Sequence, residues 1–124
     1  MEAEFIPYEQ ALALKELGFD EPCIRYYWTD GVFSKTYNEP FNFSKRHCEV
    51  SAPLYQQAFR WFREKHRIEG WVQPYLSPEP RRCEAKYWDG GRTPSTGTSI
   101  GIYDTFKEAE LECLKKLIEI VKEK

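Results

Sequence analysis

A chain of 124 residues and 14.8 kDa buries about two-thirds of its unfolded surface, enough for one independent core, so a single domain is expected over residues 1–124. Charged residues at 31% against 41% apolar exclude a disordered tail, and seven Gly and eight Pro exclude a fibrous chain. A formal net charge of −2 and a pI near 5.8 exclude a surface built throughout to wrap nucleic acid.

Pro7 stands where a first helical turn tolerates proline, and good helix formers follow until Gly18 supplies a left-handed stop, which predicts a short helix over Tyr8–Leu17. Its apolar residues lie on more than one flank, so burial on more than one side is expected. After Glu21-Pro22, the run Cys23–Trp28 is aromatic and β-branched, Asp30-Gly31 can turn, and Val32–Tyr37 resumes the pattern. That is a β-hairpin signature. Residues 38–50 read equally as a loop or a third irregular strand.

Ser51-Ala52-Pro53 offers a capping hydroxyl and a first-turn proline for a helix running to His66. At 100° per residue, Leu54, Tyr55, Ala58, Trp61 and Phe62 fall on one core face, with Gln56, Arg60, Arg63 and Glu64 opposite in water. Gly70 is expected to end the following turn. Trp71–Leu76 reads as a strand that Pro74 demotes to an edge or bulge, and Cys83–Trp88 alternates as a second strand before Asp89-Gly90-Gly91. Thr93–Thr98 has loop composition, and Ser99–Tyr103 is a last strand. Thr105 and Glu108 form a capping box opening a helix over Phe106–Val121, whose stripe of Phe106, Ala109, Cys113, Leu117 and Ile120 must be covered. The order is α-β-β-α-β-β-β-α. Short turns between adjacent strands predict an α+β fold with a mainly antiparallel sheet and helices packed on one face.

No apolar run approaches the roughly 18 residues of a membrane helix, so no membrane association is expected. The acidic start Met1-Glu2-Ala3-Glu4 lacks the pattern of a secretory signal, which points to the cytoplasm. Cys23, Cys48, Cys83 and Cys113 stand 25, 35 and 30 residues apart, with no metal-finger spacing, and read as reduced structural thiols. No cofactor or metal is called for. The two histidines fit no nucleophilic signature: His66 suits the end of a helix, where the dipole favours a cation, and His47 suits a solvated loop. A hydrolase or transferase would need a pocket joining His47 or His66 to Cys48. Glu108, Glu110 and Glu112 read as a solvated, dipole-compensating face.

Charge is spread unevenly: three Lys/Arg face eight Asp/Glu in residues 1–44, ten face six in 45–92, and five face six in 93–124, which leaves the middle at +4. Aromatic residues, at 16%, are the one excess. Much of it is needed for the core, but Tyr26 and Trp28 share one strand face with Tyr27 on the other, so one set faces outward unless both sides are covered. An exposed aromatic face near basic side chains suits a protein partner or bases stacked on rings. The candidate binding residues are therefore Arg25, Trp28, Trp71, Arg81, Arg82, Lys86, Trp88 and Arg92.

Three segments, PYEQALALKELGFDEPC (Pro7–Cys23), SAPLYQQAFRWFREKH (Ser51–His66) and YDTFKEAELECLKKLIEIVKEK (Tyr103–Lys124), resemble a family of small uncharacterised proteins of phage and prophage regions in gut Bacteroidales. The resemblance spans roughly 55 of the 124 residues and implies a cytosolic accessory protein, with no activity, cofactor or catalytic residue attached. The local run GIYDTFKEAELECL (Gly101–Leu114) also resembles the end of AP2-type and integrase arm-type DNA-binding domains. There the sheet enters the major groove, which would assign contacts to Trp71, Lys86, Trp88 and Arg92, although the strands here lack a dense Arg array. The order helix, three strands, helix from Pro53 is similar to double-stranded-RNA-binding domains, but Glu108, Glu110 and Glu112 replace their basic helix start. The expected reading is a non-enzymatic module that binds an unknown protein partner as a monomer or small homo-oligomer. The alternative is a nucleic-acid-binding module using the 71–103 sheet face.

Overall fold

The structure is a computed structural model and describes residues 4–23, 25–28, 49–75, 82–90 and 97–123. Its elements are α1 (Tyr8–Glu16), β1 (Tyr26–Trp28), β2 (Glu49–Ser51), α2 (Tyr55–Trp61, continuing as a π-turn over Phe62–His66), β3 (Glu69–Tyr75), β4 (Arg82–Trp88), β5 (Thr98–Tyr103) and α3 (Phe106–Lys122). This is the expected α+β order, with strands in two antiparallel sheets, β1-β2 and β3-β4-β5. Chain contacts divide into two compact units, Met1–Tyr55 and Gln56–Lys124.

In the first unit α1 ends as its sequence requires, with Gly18 at φ +97°. The chain returns so that Phe5 bridges Leu54 and the Ile6 amide donates to the Pro53 carbonyl at 3.0 Å. Tyr27 Oη donates to the Ile6 carbonyl at 2.8 Å, and its ring meets Tyr8 edge-on at 5.5 Å, so a buried phenol has its partner. Tyr26 and Tyr27 are both buried, which means both faces of β1 are covered there. The partner of β1 is Glu49–Ser51, placing a short strand at the end of the stretch the sequence left open. The expected Asp30-Gly31 turn and the strand Val32–Tyr37 lie outside the described residues. Ser51 is the last residue of β2 and buried, so it does not cap α2, which starts four residues later.

In the second unit α2 buries Ala58, Phe59, Trp61 and Phe62 and exposes Gln56, Arg60, Arg63 and Glu64, as its periodicity predicts, with Phe59 added to the buried set. Leu54, expected on that core face, is 40% exposed in the first unit. The helix loosens into the π-turn and is closed by Arg67 at φ +56°, a left-handed residue where Gly70 was expected to serve. Gly70 instead lies inside β3, where a Cβ would sit 2.8 Å from Cys113 Sγ and 2.8 Å from Leu117 Cδ1. That close approach lets α3 settle on the sheet. Thr105 Oγ1 accepts from the Glu108 amide at 3.1 Å and starts α3 where the capping box predicts. Ala109, Cys113, Leu114, Leu117 and Ile118 of α3 are buried. Two expectations for α3 are corrected: Phe106 is 49% exposed, and Glu110 is 4% exposed, its carboxylate 3.4 Å from Lys107 Nζ. Both follow from the helix being rotated toward the 109/110/113/114/117/118 edge of its stripe.

Candidate nucleic-acid or protein interface

Strand period and register sort the β3-β4-β5 sheet into two faces. Gly70, Val72, Ala85, Tyr87 and Tyr103 lie on the α3 side: Gly70 meets Cys113 and Leu117, Lys116 Nζ stands 6.0 Å from the Tyr87 ring, and burial beside Glu112 and Cys113 pushes the Tyr103 phenol upward. The one S–H of Cys113 is shared between the Lys86 carbonyl, 3.5 Å from Sγ, and the Trp71 carbonyl at 3.9 Å. Burial, reinforced by the Glu110 carboxylate and opposed by the Trp71 backbone bond, pushes its thiol up to about 12. A thiol held protonated in this way is structural.

The opposite face carries Trp71, Gln73 and Tyr75 of β3, Arg82, Glu84, Lys86 and Trp88 of β4, and Ser99 and Ile102 of β5. Trp71 stands directly across from Lys86 and Tyr75 across from Arg82. A directed hydrogen-bond chain fixes its centre: Trp71 Nε1 donates to Gln73 Oε1 at 2.9 Å, Gln73 Nε2 to Glu84 Oε1 at 3.3 Å, and Ser99 Oγ to Glu84 Oε2 at 2.7 Å. Both ends of the Gln73 amide are engaged, its oxygen by the indole and its nitrogen by Glu84, so the indole is held in one orientation. At Gly97 (φ +63°) a Cβ would collide with the Trp71 ring, so the indole rests on the entry to β5. Tyr75 and Ile102 are each 40% exposed at the margins of this face, while Trp71, Lys86 and Trp88 are half-buried. Arg82 Nε lies 3.5 Å from Asp104 Oδ1.

Four expected site residues, Trp71, Arg82, Lys86 and Trp88, are therefore on one face of one sheet. Arg81 and Arg92 lie outside the described residues. Arg25 is corrected: it is only 9% exposed, with its guanidinium 5.3 Å from the Phe5 ring centroid and its carbonyl accepting from Ala52, so it belongs to the interior of the first unit. Trp28, in that unit, is 41% exposed and meets the buried Tyr26 edge-on at 5.1 Å. The sequence did not single out Gln73, Glu84 and Ser99, which fix the indole. Their alternation with Trp71 and Lys86 on paired strands is the signal that locates them once the register is known. Of the described basic side chains in residues 45–92, Arg60, Arg63, Lys65 and Arg67 are all exposed on and just after α2.

Elsewhere, His66 packs against Trp61 at 4.9 Å between ring centroids and against Phe62 at 6.0 Å. His47 and Cys48 lie outside the described residues, and with them the pocket expected of a hydrolase or transferase. The cleft lined by Ala11, Lys15, Phe19 and Ser51 has no room for a water-sized group. Among the described residues no group of three His, Cys, Asp or Glu is placed to hold a metal ion, and no helix is long and apolar enough to cross a membrane. No family model, curated protein or solved structure matches the chain.

Proposed function

We propose that the chain is a non-enzymatic accessory protein, of the phage-associated kind its sequence resembles, that acts through protein contacts made by the open face of the β3-β4-β5 sheet. The observation that carries this reading is the combination of aromatic side chains with cancelled charge on that face. Trp71, Tyr75, Trp88 and Ile102 supply apolar area, and among the described residues Arg82 and Lys86 are matched by Glu69 and Glu84 on the same face. Rigid aromatic anchors within a hydrogen-bonded surround suit desolvation against another protein, whereas a phosphate backbone requires positive charge in excess.

A second reading, nucleic-acid binding by this face, is favoured by the direct pairing of Trp71 with Lys86, a ring beside a cation. One experiment separates the two. Tagged chain is used to capture partners from host lysate, with and without nuclease and at low and high salt, alongside Tyr75→Ala and Lys86→Ala variants verified as folded by circular dichroism. A stoichiometric protein that survives nuclease and salt and is lost with Tyr75→Ala is the expected result. Recovery instead of nucleic acid that disappears with salt, its salt slope reduced by about one unit in Lys86→Ala, overturns the protein reading.

A further inference from the structure

The strand order β3-β4-β5 leaves two outer edges, and among the described residues neither is paired. Natural sheets protect such edges with charge, proline or a bulge, because a row of free N–H and C=O groups is a template for another strand. The β3 edge has Glu69 and Pro74, and Pro74 removes a ladder donor. The β5 edge, Thr98-Ser99-Ile100-Gly101-Ile102-Tyr103, has no charged residue and no proline. Its one protective feature is the register shift opposite Ala85/Lys86, which leaves Ile100 as the extra residue and increases the local twist. A strand added there must share that twist.

Two large apolar side chains flank the same edge uncovered. Ile102 is 40% exposed on the open face, and Phe106, the first residue of the apolar stripe of α3, is 49% exposed just beyond the strand. We propose that the β5 edge is a self-association site, at which a second copy of this chain adds its own β5 antiparallel and joins two three-stranded sheets into one of six strands. The second copy is the occupant the features fit: it brings the same bulge and twist, and an antiparallel edge is complementary to itself. A two-fold axis between Ile100 and Gly101 sets Ile102 opposite Ser99 and Thr98 opposite Tyr103, with no charge facing a like charge. A net charge of −2 adds little repulsion between copies. The proposal uses the strand edge and does not depend on the protein-binding role of the open face.

The test is sedimentation of the full chain from about 1 µM to about 1 mM, the range of weak interfaces, together with amide hydrogen exchange at both ends of that range. The expected result is a concentration-dependent dimer in which amides within Thr98–Tyr103 become protected as dimer forms, and in which Ile102→Lys weakens association by roughly tenfold or more. A chain that stays monomeric throughout overturns the proposal. So does a dimer whose β5 amides exchange equally at low and high concentration, and this wild-type measurement decides the matter where Ile102→Lys fails to fold. Capture of a heterologous partner by the open face is read independently, through Tyr75→Ala.

Discussion

Replacing Ser51 by alanine is expected to raise stability by about 1 kcal/mol, because its Oγ is buried at the end of β2 with no hydrogen-bond partner among the described residues and the folded state carries that desolvation cost. Urea unfolding of Ser51→Ala checks the sign, and a loss of stability would show that the hydroxyl has a partner in solution. Cys113 presents the opposite case, a buried thiol bonded to two carbonyls of the sheet. Its thiol is raised from 9.0 in the unfolded chain to about 12 in the fold, so the native state holds its proton longer. The stability tied to the protonated thiol is complete below the unfolded value and is lost as pH rises through the folded one. The urea midpoint should therefore decline as pH rises from about 9 toward about 12, and Cys113→Ala should flatten that part of the profile. Tyr103, whose phenol is also raised, adds a slope of the same sign that Cys113→Ala leaves in place.

At the scale of elements, the contact of α3 with the sheet depends on Gly70, since any Cβ there meets Cys113 and Leu117. Gly70→Ala is expected to cost about 1 to 3 kcal/mol by overpacking, and Leu117→Ala about 2 to 5 kcal/mol by leaving a cavity at a fully buried position. Thermal or urea denaturation measures both. If the two substitutions are combined, the alanine at Gly70 occupies part of the space vacated by Leu117, so the double variant should lose less than the sum of the singles. Exact additivity would show that the helix does not approach the strand as closely as 2.8 Å implies. The π-turn after α2 is an element-scale feature of the same kind. It places Phe62 inside and ends on Arg67 in the left-handed region, a conformation a glycine would adopt at less cost.

For the molecule as a whole, charge decides which macromolecule the open sheet face suits. Among the described residues, the basic side chains of the +4 segment divide between two places: Arg60, Arg63, Lys65 and Arg67 stand exposed along and after α2, while the sheet face balances Arg82 and Lys86 with Glu69 and Glu84. Any nucleic-acid binding detected at low salt should therefore weaken more on Arg63→Ala with Lys65→Ala than on Lys86→Ala, as a titration with a labelled duplex at two salt concentrations would show. The reverse ranking would return the nucleic-acid reading to the sheet face.

Composition and local pattern were sufficient for the helices and for the three strands of the second unit. Each is specified by interactions within a few residues: Thr105 caps α3, Gly18 stops α1, and alternation marks Cys83–Trp88. The α+β order followed from these. What the sequence left undetermined depends on partners distant in the chain. The pairing of Tyr26–Trp28 with Glu49–Ser51, the burial of Arg25 against Phe5, the burial of Glu110 and the exposure of Phe106 are all set by which surface packs against which. The same holds for the candidate face. Trp71, Arg82, Lys86 and Trp88 are visible as residue types, but only the register, which places Trp71 opposite Lys86 and lets Glu84 reach Gln73 and Ser99, makes them one surface. A one-residue slip would have sent alternate side chains to the α3 side, because strand side chains alternate faces and register is fixed by the tertiary packing of one face.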